Sequence, residues 1–592
     1  MTKKLIDQKQ IDAIIQESPV ILKSKKIEDT IDEKNFDEIY KKYLQFSKVI
    51  RDSVHGDIWL TELEIAIIDT PIFQRLRRIK QLGPTDLVYP SAKHTRFDHC
   101  VGTLFIAQQI IDAINKNKDN NLSFYAIPPR DVITIRILAL IHDLAHFPFG
   151  HTIEDEGKLF DKTQWEDDER SKYILALIRP IIESHLKDLP NSERENIIKD
   201  IESGLKLGEG EKEEAIHQLK RPYIVDIVEN TICADLLDYL KRDPYNTGLK
   251  MVYDPRIISH FVLVDLTIKI KDKDIPGKRA AILLEKKQGR IKRDILFYCI
   301  DLLRMRYSLA EKAYFHRVKC IASAMVIKMI YCALEDIVYF STEKRTDNEK
   351  FNLIELGDEN LIFSIMKYRG KNNEKENVKA AIKLANAINN RTLYKDIYSK
   401  NYTDEPTYDS LKKFVDKKIR YDKEKELEEI CKLDPGSIVI YCPEKQSGKV
   451  AETKTLRLNK FNKPIVKTIK ELANEENFRF IGQELDILDL MHNRLWNFYI
   501  LVDKECIKDD PLKEEYLKNF FKELFDTEKL GHWTVILRDY LKYGSESQLT
   551  TNQAYTIASK IAAAYDPRDV KKGLSLIDNE IDSLRQKLRQ NK

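Results

Sequence analysis

The stretch VITIRILALIHDLAHFPFGH (residues 132–151) runs from an apolar helix pattern straight into three histidines and an aspartate. The whole chain holds 12 histidines, so three between positions 142 and 151 call for a reason. The apolar run predicts a buried helix with Asp131 as its N-cap, carrying His142, Asp143 and, one turn later, His146 along one edge. His142 and Asp143 set an imidazole beside a carboxylate, a donor pair suited to a divalent or borderline transition metal. Two groups cannot close a coordination shell, so partners must come from elsewhere. The segment HTRFDHC supplies His94 and His99 at the head of a second apolar helix, and CADLLDYL supplies Asp235 within a third. A metal held by two histidines and two aspartates keeps positions open for water and a phosphate oxygen. Histidines one turn apart are ordinary on a helix. Matching groups at the edges of three apolar helices point instead to a metal centre.

The bulk properties narrow the alternatives. The chain has 592 residues, with 99 lysines and arginines against 96 aspartates and glutamates, a net charge of +3. That balance gives no overall field for nucleic acid or membrane, so binding of single-stranded nucleic acid would have to rest on a local patch. The start, MTKKLIDQKQ, lacks the apolar core of a secretory signal. No apolar run reaches the ~18 residues that span a bilayer. The eight cysteines (100, 233, 299, 320, 332, 431, 442 and 506) form no C-x-x-C pair. That argues against a thiolate zinc site or a disulfide framework. The expected compartment is the reducing cytoplasm.

Three regions are expected: a polar N-terminal extension (1–45), a helical core (46–335), and a mostly helical C-terminal region (336–592) serving regulation and oligomerisation. FDHCVGTLFIAQQIIDAI sets Val101, Leu104, Phe105, Ile110, Ile111 and Ile114 on one face, an amphipathic helix. DIVENTICADLLDYLKRD reads as one helix. GSIVIYCPEK and TKTLRLNK alternate as strands do and predict a small shared β element. Leu574, Ile577, Ile581, Leu584 and Leu588 recur at helical spacing near the end, as a docking helix would.

The ordered runs VHGDIWL, DTPIFQRLRRIKQLG, YPSAKHTRFDHCVGT, IHDLAHFPFGH and DLLDYLKRD closely resemble the HD-domain deoxynucleoside triphosphate triphosphohydrolases. The nearest branch holds the vertebrate SAM- and HD-domain dNTPase and its bacterial relatives. The similarity spans about residues 46 to 330, and no SAM domain is expected in the 45 residues before it. The resemblance implies a mainly α fold, with an HD-domain multi-helix core and a helical C-terminal lobe containing the small β element. It implies metal ligation by His99, His142, Asp143 and Asp235, with Mg, Mn, Fe or Zn as the ion. The implied reaction is hydrolysis of a dNTP to deoxynucleoside and inorganic tripolyphosphate. His151 would protonate the leaving oxygen, Glu154 would hold the His151 tautomer, and His146 would touch phosphate. A family histidine after the tryptophan is replaced here, in QWEDDER, by Asp167.

For the nucleotide, the resemblance implies Gln81 and Leu82 against sugar and base, Arg96 and Arg306 on phosphate, Tyr239 and Asp243 at the ribose, and Tyr314 close to C2′. Leu236 stands where the family has a lysine, and Ala310 where it has a histidine. Lys48, Val49, Asp69, Gln74 and Arg77 match an activator site for GTP or a dNTP, although Arg51 replaces an asparagine there. Asp69 also reads as an N-cap before Pro71. A homo-oligomer follows from the same resemblance, a tetramer before a dimer or hexamer, and a role in phage defence follows only by analogy. Two other readings share the metal tetrad. One is an HD phosphodiesterase or nuclease. The other is a non-catalytic nucleotide sensor, to which Leu236 and Ala310 lend support.

Overall fold

The computed structural model describes residues 36–526, apart from short segments at 120–123, 161–166, 207–218, 271–272, 287–289, 343–349, 446–453, 459–463, 476–477 and 509–510. The expected terminal docking helix lies outside the described residues, as does most of the expected N-terminal extension. Helix α1 (Phe36–Tyr43) docks through buried Tyr40, whose hydroxyl donates to Glu193 at 2.7 Å. Strands β1 (Phe46–Asp52) and β2 (Gly56–Thr61) form an antiparallel hairpin. Helix α2 (Glu62–Ile68) follows, started by a capping box between Thr61 and Glu64, and α3 (Pro71–Arg75) starts at Thr70. Asp69 is thus the C-cap of α2 and not an N-cap.

Helix α4 (Arg96–Lys118) begins at a second capping box, Thr95 with Asp98. Its first half is not amphipathic: Arg96, Phe97 and every residue from His99 to Leu104 are buried, because neighbours enclose that half. In its second half Ile110, Ile111 and Ile114 are buried while Gln109, Asp112 and Lys116 meet solvent, the expected apolar face. After the short strand β3 (Phe124–Tyr125) comes α5 (Pro129–Ile141), buried from Arg130 to Ile141. Its N-cap is Pro128. Asp131 lies inside the first turn, bound to Arg130, Arg221 and the Tyr223 hydroxyl. Helices α6 (Asp167–His185), α7 (Asn191–Lys206), α8 (Tyr223–Val228) and α9 (Ala234–Thr247) complete the shell. The single helix expected over α8 and α9 is therefore two, broken at Glu229–Cys233.

The long hairpin β4 (Phe261–Ile270) and β5 (Lys273–Leu283) leads into α10 (Arg293–Leu309), a π-turn at Ala310–Tyr314, and α11 (Arg317–Ala333). Helices α12 (Asp358–Lys367) and α13 (Glu376–Asn389) pack on this core. Beyond them lie β6 (Lys395–Asn401), α14 (Lys417–Cys431), β7 (Ile438–Tyr441), β8 (Lys454–Leu458), β9 (Pro464–Thr468), α15 (Arg479–Asn493), β10 (Asn497–Val502) and α16 (Pro511–Asp526). The two expected strand segments do not share a sheet. β7 is an edge of the antiparallel sheet β6-β10-β7, and β8 lies in β9-β8-β5-β4-β3. The first sheet and α16 enclose a second apolar core around Phe414, Phe498, Phe520 and Phe521. The fold is mainly α, as expected. Among the described residues, no helix is long and apolar enough to cross a membrane.

His492 on α15 packs edge-on to Tyr307. Burial, with Arg306 nearby, pulls its pKa from 6.5 down to about 4. The unfolded chain takes up this proton first on acidification, so stability present above pH ~6.5 is lost as pH falls toward 4. His492→Gln is expected to remove about one proton from that dependence. Urea unfolding at pH 7 and pH 4.5 checks it, and an unchanged difference between the two would contradict it.

Candidate metal centre

Helix α5 ends at Ile141, so His142 is its C-cap rather than an interior residue. The His142 Nδ1 lies 2.9 Å from the Ala139 carbonyl. A carbonyl only accepts, so Nδ1 carries the hydrogen and Nε2 keeps its lone pair. His99, in the first turn of α4, sets Nδ1 2.7 Å from the Asp238 carboxylate and Nε2 2.9 Å from Asp235, in the first turn of α9. Ligand atoms of His99, His142 and Asp235 all lie within 4.8 Å of one another. Asp143 closes the group, 3.9 Å from His99 Nε2 and 3.7 Å from His142 Nε2.

This donor set fits a metal ion. The buried His142 Nε2 has no hydrogen-bond partner among the described residues, a costly state unless something else meets it. Burial lowers the His142 pKa, keeping the imidazole neutral as a ligand must be. Burial opposes a proton on His99, but hydrogen bonds to Asp235 and Asp238 raise its pKa to about 10. Burial likewise opposes the Asp143 charge, yet Arg96 and His146 hold that carboxyl well below its usual range.

Beyond Asp143 the chain turns sharply, with positive φ at Phe149 and Gly150. His146 lies 3.0 Å from Asp143 through Nε2 and 2.7 Å from Glu154 through Nδ1. Glu154 therefore positions His146, not His151 as the sequence suggested. The π-turn at Thr152–Glu156 brings Asp155 to His151 instead, at 2.7 Å. Protein around His151 opposes its proton, and the Asp155 hydrogen bond raises its pKa above the ordinary value. The His151 side chain is 56% exposed, open to an incoming ligand. Asp167 opens α6, and its side chain lies outside the described residues.

Arg96 is fully buried and donates to Asp143 at 2.5 Å, while its Nε and second terminal nitrogen have no partner among the described residues. Gly150 makes room for this guanidinium. With φ +45°, a Cβ there would lie 2.3 Å from Arg96. Gly150→Ala is expected to displace Arg96 and cut phosphohydrolase activity about 100-fold, the scale of losing one charge-stabilising donor. Steady-state kinetics check this, and activity within threefold of wild type would contradict it.

The Asp243 carboxylate is shared by His94 at 2.8 Å and the Tyr314 hydroxyl at 2.5 Å. Tyr239 is half-buried one turn earlier on α9. Gln81 has a buried side-chain oxygen without a partner among the described residues, and Leu82 beside it is largely buried. Arg306, in the last turn of α10, bears on His492 of α15. Leu236 and Ala310 are both buried. Of the expected activator residues, Lys48 and Val49 lie on β1. Asp69, Gln74 and Arg77 lie around α3, where Arg77 donates to Gln74 at 2.9 Å and stacks on Phe97. The C-terminal region holds the segment around Phe149–Gly157 from behind. The Asp358 carboxylate accepts from the Phe149 and Lys80 amides, the Tyr441 hydroxyl donates to Glu156, and Arg420 donates to the Gly157 carbonyl. Sequence reading passed over Asp155, Asp238 and Arg242. An aspartate and arginine four apart in an apolar helix was the available signal.

Residues 96–243, which carry all four candidate ligands, match the family model of the HD domain. The match is confined to that segment, about a quarter of the chain. The chain's relatives include an uncharacterized protein of Methanocaldococcus jannaschii, 37% identical over 38% of this chain and 40% of that protein. The deoxynucleoside triphosphate triphosphohydrolase SAMHD1 of Homo sapiens is 29% identical over 47% of this chain and 43% of its own length. The SAMHD1 homolog of Dictyostelium discoideum is 27% identical over 59% and 60%. The chain thus spans between 40% and 60% of the length of these relatives.

Proposed function

We propose that this protein is a metal-dependent phosphohydrolase that converts a deoxynucleoside triphosphate to deoxynucleoside and inorganic tripolyphosphate. The observation that carries the reading is the His99–His142–Asp235 group with Asp143 next to it and beside Arg96, whose Nε and one terminal nitrogen, like His142 Nε2, are buried without a partner among the described residues. The similarity to enzymes named as deoxynucleoside triphosphate triphosphohydrolases supports the choice of substrate.

A bound Mg, Mn, Fe or Zn ion would polarise a phosphate oxygen and lower the pKa of a water. Arg96 offers its unpartnered nitrogens to the phosphate, with Arg306 and His146 as further phosphate contacts. Water attacks the α-phosphorus and the bond to O5′ breaks. His151, whose proton Asp155 stabilises, gives that proton to O5′. Asp243 and Tyr239 hold the ribose, Gln81 and Leu82 meet sugar and base, and Tyr314 occupies the space a 2′-hydroxyl would need. Lys48, Val49, Asp69, Gln74 and Arg77 form an activator site for GTP or a dNTP. Binding there favours a homo-oligomer, a tetramer before a dimer or hexamer.

Phosphorus NMR with Mn²⁺ or Mg²⁺ tests the reaction, each dNTP being supplied alone and then with GTP. Tripolyphosphate from wild type and none from Asp143→Ala is the expected result. Buried Leu236 and Ala310 remove two polar groups from the nucleotide side and favour a second reading, a non-catalytic nucleotide sensor. Binding of a dNTP with no phosphate product from any nucleotide would establish that reading instead.

A further inference from the structure

The β1–β2 hairpin lies outside the HD-domain match, yet it reaches the metal centre through an unbroken buried network. Asp238 is fully buried on α9, one turn beyond Asp235. Its Oδ2 takes His99 Nδ1 at 2.7 Å, and its Oδ1 takes His55 Nε2 at 2.6 Å. Arg242 grips the same carboxylate with two nitrogens, each at 2.9 Å, and with its third reaches Asp52 at 2.8 Å. Asp52 and His55 are the two ends of one hairpin turn. Asp52 Oδ1 accepts the backbone amides of Val54 and His55 at 2.9 and 2.8 Å, while its Oδ2 faces Arg242. The side chains of Asp238, Arg242, Asp52 and His55 are between 0% and 6% exposed, so solvent cannot replace a lost partner. Gly102 on α4 permits the arrangement, since a Cβ there would lie 2.0 Å from Asp238.

From this network we infer that Asp52 and His55 are positioning residues for the metal, acting through Asp238 and Arg242 on the ligand His99. The inference rests on the metal reading above and adds to it a determinant outside the ligand set. An imidazole ligand is aimed by whatever accepts from its other nitrogen, and that acceptor tunes its basicity. Asp238 is that acceptor, and three groups fix its carboxylate plane: Arg242, His55 and His99 itself. Arg242 is in turn balanced by two carboxylates, one of which belongs to the hairpin. Remove the Asp52 charge and Arg242 has only Asp238 to answer it. The guanidinium then draws Asp238 away from His99.

Asp52→Asn is the sharpest variant. The amide oxygen can still cap the turn, while the amide nitrogen cannot accept from Arg242. His55→Gln tests the other arm. Metal affinity is read on the full, metal-stripped chain by titration with Mn²⁺, following free Mn²⁺ by electron paramagnetic resonance. Asp235→Ala serves as the ligand control and Arg51→Ala as an exposed neighbour on the hairpin. Either network variant is expected to weaken Mn²⁺ binding about 10-fold, the lower end for groups behind a ligand. The melting temperature of the metal-free variants is expected to fall, because a buried partner is lost, so binding is compared at a temperature where each protein is fully folded, and Arg51→Ala should bind as wild type does. Wild-type binding that Asp235→Ala weakens but both network variants leave within twofold would overturn the inference and spare the metal reading. Wild type that takes up no Mn²⁺ would overturn both. Hydrogen exchange across residues 46–56 of wild type gives a reading that needs no variant. Mn²⁺ should slow it if hairpin and metal are coupled, because coupling is reciprocal. Unchanged exchange would overturn the inference.

Discussion

His142→Ala is expected to lower hydrolysis roughly 1,000-fold, equivalent to about 4 kcal/mol of transition-state stabilisation. The argument starts from what His142 already has. Its Nδ1 hydrogen is committed to the Ala139 carbonyl, and its Nε2 is buried and has no partner among the described residues. Truncation removes a preoriented neutral donor and leaves the rest of the helix end intact, since the cap hydrogen bond from the His142 amide to Leu138 is made by backbone. Folding should survive, while metal content and turnover fall together. Metal analysis of the purified variant, set beside its steady-state rate, separates the possibilities. A variant that keeps both its metal and more than a tenth of its activity would rule out His142 as a ligand.

Glu64→Ala is expected to destabilise the fold by about 3–5 kcal/mol, the cost of leaving a buried charge without its partner. Glu64 and Arg136 are both almost wholly buried. Arg136 Nε meets one carboxylate oxygen at 2.6 Å, and a terminal nitrogen meets the other at 2.8 Å. Arg136 also donates to Gln108 and to the Trp59 carbonyl, but neither carries charge. The same glutamate accepts the Thr61 amide in the capping box, so its loss also frays the start of α2. Replacing both partners, as Glu64→Leu with Arg136→Met, should cost less than Glu64→Ala alone, because no buried charge then remains. Urea unfolding of the three proteins checks the order. A double variant less stable than the single one would contradict it.

The candidate ligands were legible because they stand where apolar runs meet polar ends. His99 and Asp235 occupy first turns, and His142 a last turn, of three buried helices. The partnerships around them were not, because they depend on where each helix stops. Helical spacing joined Glu154 to His151. The chain instead leaves the helix after Ile141 and reverses at Phe149 and Gly150, which hands Glu154 to His146 and Asp155 to His151. In α4 the expected apolar face holds for Ile110, Ile111 and Ile114, whereas the first half of the helix is buried all round. Strand segments were recognisable in β7 and β8. Their sheets were not, since β7 pairs with β10 and β8 with β5, partners far apart in the chain, although β8 also pairs with its neighbour β9. Asp238 reads in sequence as one more carboxylate near Asp235. Only its burial against His99, His55 and Arg242 gives it a role.

The central claim is that His99, His142, Asp143 and Asp235 hold one metal ion. Anomalous X-ray diffraction from crystals of the full chain grown with Mn²⁺ tests it most directly. The expected result is a single anomalous peak bounded by those four side chains, absent from crystals of Asp235→Ala. A peak elsewhere, or none in wild type under conditions that support turnover, would contradict the account.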